Sequence, residues 1–136
     1  MPIRNDYLQD MIGRFASGLA RSVERSRAGL SREAREGYEG VAGEVLDMDP
    51  ETVLALSPAS LVTMLQISAV DDRLANYLAY ALLRMAELDE AQGQEGSAFA
   101  RTRRMQASAV ADAYGFDVGQ VPPELEMELG SEERKS

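Results

Sequence analysis

Three groups of side chains stand close enough along this sequence to act together. Asp47, Asp49 and Glu51 form one acidic cluster, Glu87, Asp89 and Glu90 a second, and Arg101, Arg103 and Arg104 the densest basic group. Carboxylates in such groups suit a divalent cation, and clustered guanidinium groups suit an oxyanion. Each idea meets an obstacle. A di-metal site in a helical bundle draws on inward Glu residues and Glu-x-x-His pairs, and the chain has no His. A calcium loop needs ligands at alternate positions around a central glycine, whereas Asp47-x-Asp49-x-Glu51 lacks that glycine and contains Pro50. No glycine-rich phosphate loop accompanies the arginines. The plainer reading gives Asp49 and Glu51 a role at a helix start, and pairs the arginines with the acidic end of the preceding helix.

There is also no Cys and no Trp. Without Cys and His there is no thiolate nucleophile, no His general base and no ordinary zinc, copper or haem site. We therefore expect no metal and no cofactor. An enzyme is the less favoured class, because it would have to work with Tyr, Ser, Asp, Glu or Arg alone. The tyrosines offer more. Asn76, Tyr80, Leu83 and Glu87 follow a helical i, i+4, i+7 spacing on a different side from the apolar stripe of the same segment, with Tyr77 and Arg84 flanking. A helix apolar on two sides is either sandwiched between neighbours or presents a binding groove. In the second case Asn76, Tyr77, Tyr80 and Arg84 are the partner-binding candidates, in keeping with the aromatic and Arg bias of interfaces.

The elements that carry these residues read as helices throughout. Tyr7, Leu8, Met11, Ile12, Phe15, Leu19 and Val23 recur at spacings of three and four, which predicts a long helix capped by Asn5 or Asp6 and ended by Gly29. Ser31 is placed to cap a second helix with the stripe Ala34, Tyr38, Val41, Ala42, Val45 and Leu46, and the short link predicts antiparallel packing. Asp49-Pro50 and Ser57-Pro58 open two short helices, each with proline at the first helical position. Asp71 then caps a long helix with the stripe Leu74, Leu78, Ala81, Leu82, Met85 and Leu88, broken at Gln92-Gly93. From Ser97 a further helix runs through Ala98, Thr102, Met105, Ala109, Val110 and Tyr114 to Gly115. The fold class is all-α, with about five main helices plus a short C-terminal helix. Residues 1–120 read as a single helical domain, and 121–136 as a short helix followed by an acidic, mobile tail.

With 136 residues there is material for one core. The net charge of −9 is uneven: residues 37–100 hold two arginines against eleven acidic residues, while residues 1–36 hold seven arginines against five. That field disfavours nucleic acid and anionic lipid and suits a basic partner, although it also serves solubility alone. No apolar run approaches the length of a membrane span, and the start lacks the apolar core of a signal peptide, so a cytoplasmic protein is expected. One Lys beside thirteen Arg suggests a GC-rich bacterial genome.

Gly29, Ala34 and Tyr38 share their offsets with Gly93, Ala98 and Thr102. Those offsets resemble the turn and second helix of tetratricopeptide repeats, and Leu82, Met85 and Ala86 resemble the first helix of such a repeat. With Asp6-Tyr7-Leu8, Met11-Ile12, Phe15, Leu46-Asp47-Met48-Asp49 and Leu54-Ala55-Leu56-Ser57-Pro58, the chain resembles an uncharacterised bacterial family of short tetratricopeptide-like proteins, a domain-of-unknown-function family. The resemblance covers residues 5–129 and implies a fold of antiparallel helical hairpins. It transfers no catalytic residue. The expected function is a non-enzymatic module for protein–protein interaction or self-association, with a protein or peptide partner or a second copy as in a homodimer. The alternative is a small enzyme, or an acidic inhibitor that acts as a decoy.

Overall fold

A computed structural model describes residues 2–135 and the side chains of residues 6–130, and the described residues form seven α-helices and no strand. They are α1 (Pro2–Arg27), α2 (Ser31–Leu46), α3 (Pro50–Leu54), α4 (Pro58–Ile67), α5 (Asp72–Glu90), α6 (Ser97–Tyr114) and α7 (Pro123–Lys135). A 3₁₀ turn, Gly93–Gly96, separates α5 from α6. Helix α1 packs along α2, α2 along α5, and α5 along α6, while α4 lies on α6 and α7 returns to α1.

Proline and capping residues set most helix starts. Pro50 and Pro58 each occupy the first turn, where the missing N–H leaves nothing unpaired. The Ser57 hydroxyl accepts from Ser60 N at 3.1 Å, and the Asp71 carboxylate from Arg73 N at 2.9 Å. Three expected caps are not used. Asp49 stands at the N-cap of α3, but its side chain makes no capping hydrogen bond. Helix α1 already begins at Pro2, which leaves Asn5 and Asp6 inside it, and Leu30 rather than Ser31 is the N-cap of α2. Helix α7 runs to Lys135 and is longer than the short helix expected; side chains beyond Gly130, and Ser136, lie outside the described residues.

Helix α5 is the axis of the molecule. Fourteen of its nineteen residues are buried, so its two apolar sides mean that it is sheathed by neighbours. Phe15 of α1 meets Tyr77 at a ring-centroid distance of 5.9 Å, and the whole expected stripe from Leu74 to Leu88 lies in the core. At the far end, Arg35 of α2 donates to Asp89 at 2.5 Å, with Asp89 only 6% exposed. Gly96 lies so close that a Cβ there would stand 1.9 Å from the Asp89 backbone oxygen. Glycine is required by that approach, not by its φ.

The repeat-like echo does not carry over to the second helix pair. Ala34 and Tyr38 are buried on α2, but Ala98, Thr102 and Met105 are exposed on α6. The face that α6 buries is instead Ala100, Gln106, Ala107, Val110 and Ala111. Its register is set by polar work: Gln106 Nε2 donates to the carbonyls of Leu54 and Leu56 at 3.1 and 2.8 Å, and Arg103 donates to Leu54 O at 2.8 Å. These are carbonyls at the end of α3 that no helix turn satisfies.

Candidate functional site

The four side chains expected on a partner-binding groove are mostly interior. Asn76, Tyr77 and Tyr80 are 5%, 0% and 6% exposed, and Arg84 is half-buried. Asn76 Nδ2 donates to the backbone oxygen of Gln120 at 3.1 Å, and Gln120 Nε2 returns a bond to Asn76 Oδ1 at 3.2 Å. The Tyr77 hydroxyl donates to Glu124 Oε1 at 3.0 Å. Burial, reinforced by this carboxylate acceptor, pushes the Tyr77 phenol well above its ordinary pKa. The Arg84 guanidinium lies over the Tyr80 ring, 4.8 Å from its centroid, and reaches Glu87 at 3.1 Å. The open-groove reading is thereby corrected. The chain's own C-terminal segment covers Asn76 and Tyr77, and burial also raises the pKa of Tyr80 and of its neighbour Tyr38 on α2.

The charged clusters separate in the same way. Arg104 forms the expected pair with the end of α5, meeting Glu90 at 2.7 and 2.8 Å. Arg103 turns inward, where desolvation lowers its pKa, and Asp89 is taken by Arg35. Asp47, Asp49 and Glu51 do not converge with other ligands, and among the described residues no three carboxylates come together as a metal site would need.

The concave feature that stands out is a cleft of about 650 Å³ where the first half of α1, the end of α2 and the loop from α4 to α5 meet. Leu8, Met11, Val45, Val70 and Leu74 give it an apolar lining. Tyr7, 65% exposed, stands at its edge. Three carboxylates, Glu44, Asp47 and Asp71, and two arginines, Arg14 and Arg73, complete it. Arg14 meets Glu44 at 3.2 Å, and Arg73 meets Asp71 at 3.1 Å. The backbone and side-chain donors of Arg73 keep the Asp71 carboxyl below its ordinary pKa against the opposing effect of its partial burial, so it stays ionised.

Two backbone observations mark the same cleft. Among the described residues Asp47 and Ala69 are the non-glycine residues with positive φ, 52° and 51°, and both line it. Each closes a helix as Gly29 does: Met48 N donates to Gly43 O at 2.9 Å, and Val70 N to Leu65 O at 3.0 Å. Asp tolerates this conformation, whereas alanine in it is strained by about 1–2 kcal/mol. Ala69→Gly is therefore expected to raise stability by up to about 1 kcal/mol after the added freedom of the unfolded chain is subtracted, measured by urea denaturation. A loss of stability would show that alanine is not strained there.

Sequence reasoning noticed Tyr7, Leu8, Met11 and Leu74 as core stripe and Asp47 as a cluster member, but not that they meet. No family model, curated protein or solved structure matches this chain.

Proposed function

We propose that the chain is a non-enzymatic interaction module of helical hairpins, whose cleft receives a basic segment of a partner protein. The observation that carries this is the composition of the cleft: Leu8, Met11, Val45, Val70 and Leu74 stand beside three carboxylates and two arginines. Such a surface favours an apolar side chain flanked by Lys or Arg, the pairing of anchor and steering charge used in protein recognition. The exposed Tyr7 supplies a rigid amphipathic contact at the edge. The strong excess of acid in residues 37–100 extends the same preference over a wider field.

The test is an NMR titration of the full chain with decapeptides that hold one Leu among Lys, Glu or Gln residues. The Lys series is expected to perturb Leu8, Met11, Val70 and Leu74, with affinity falling as salt rises. Asp47→Asn keeps a residue that accepts positive φ and removes one charge, so it should weaken the Lys peptides by about two- to fivefold, the size of an exposed ion pair. Equal binding of all three series, or shifts confined to other surfaces, would remove this reading.

A further inference from the structure

Helix α7 is held differently from the rest of the fold. Its one fully buried apolar side chain among the described residues is Leu125, while Met127 is 75% exposed. Leu129 and the preceding Val121 pack partly buried against the core, and a polar hold sits at the start of the helix: the Asn76–Gln120 amide pair and the Tyr77–Glu124 bond. Its main helix contact is α1, from the opposite end of the sequence. Among the described side chains the charges of the two complement each other, since α1 carries four arginines against three acidic residues and α7 carries Glu124, Glu126 and Glu128 with no basic residue.

What α7 fills is therefore a seat shaped by α1 and the first turns of α5, attached to its occupant by the connection 115–122. That connection begins at Gly115, with φ of 76°, contains the exposed Gly119 and ends at Pro122, next to Pro123. Extended, its eight residues span roughly 26 Å, enough to carry α7 off its own body and onto another. We infer that the α1–α5 seat is an interaction surface for a second copy of this chain, which occupies it by exchanging α7. Every contact that holds α7 in place is available unchanged from the partner copy, so the exchanged dimer requires no new interface chemistry. The closed monomer wins at low concentration because the short connection holds α7 near its seat at an effective concentration on the order of millimolar. Shortening the connection removes that advantage and leaves the residues of α1 and α5 in place, although Val118 of the connection itself packs against the core. This surface is distinct from the cleft and stands or falls independently of it.

The experiment deletes Asp117, Val118 and Gly119 from the full chain, so that α7 no longer reaches its own seat. Light scattering is expected to give twice the monomer mass, and Leu125→Asp in the same background is expected to return it to monomer. A folded, monomeric deletion chain at several hundred micromolar would overturn the inference, as would a dimer indifferent to Leu125→Asp. Should the deletion chain fail to fold, tagged and untagged full chains unfolded and refolded together at high concentration decide the matter. Mixed dimers that dilution resolves slowly and that Leu125→Asp abolishes support exchange, and their absence overturns it.

Discussion

Leu78→Ala is expected to lower the free energy of unfolding by about 2–5 kcal/mol, read from the midpoint of urea denaturation at unchanged slope. Leu78 is 0% exposed at the middle of α5, a helix with α1, α2 and α6 packed on it. The truncation leaves a void with little room to collapse, because its helical neighbours Leu74, Tyr77, Ala81 and Leu82 are themselves buried. The upper half of the range applies if α5 is held rigidly by its sheath. An unaltered midpoint would mean that Leu78 does not face the core and that the packing around α5 is misassigned.

Arg35→Ala is expected to cost about 3 kcal/mol, by a different route. The Asp89 side chain is 9% exposed and is held by the Arg35 guanidinium at 2.5 Å, while its second carboxylate oxygen is buried without a hydrogen-bond partner. Removing the arginine strands a carboxylate in a poorly solvated place, and that loss exceeds the net value of the pair. The double variant Arg35→Met, Asp89→Leu removes both charges and should recover most of the loss. The comparison of single and double variants is the measurement that checks this, and a double variant as unstable as Arg35→Ala would mean that packing at α2, not charge, was lost.

How far the sequence revealed this fold differs from helix to helix. The stripe from Leu74 to Leu88 is legible because a regular 3.6-residue period and a long run leave one solution. Helix α6 misleads, since Gln106 and Arg103 turn inward to serve the carbonyls at the end of α3 while Met105 turns outward, the reverse of what hydrophobicity suggests. The Tyr77 face is legible as apolar but not as covered, because its cover comes from Gln120 and Glu124, more than forty residues away. The cleft is hidden for a similar reason. It is assembled from three distant segments, and nothing in the local sequence announces that Ala69 takes a left-handed conformation where glycine is customary.

The enclosure of α5 also bears on how the chain is made. A ribosome delivers residues in order, so the α1–α2 pair is available when α5 emerges, but α6 and the C-terminal segment that seals Tyr77 are still to be synthesised. For that interval a helix built to be wrapped on all sides is wrapped on some, and its bare flank is a target for holdase chaperones or for neighbouring nascent chains on the same message. Translation speed through residues 91–125 thus becomes a determinant of yield, and synonymous slow codons placed there should raise the fraction of chain lost to aggregation.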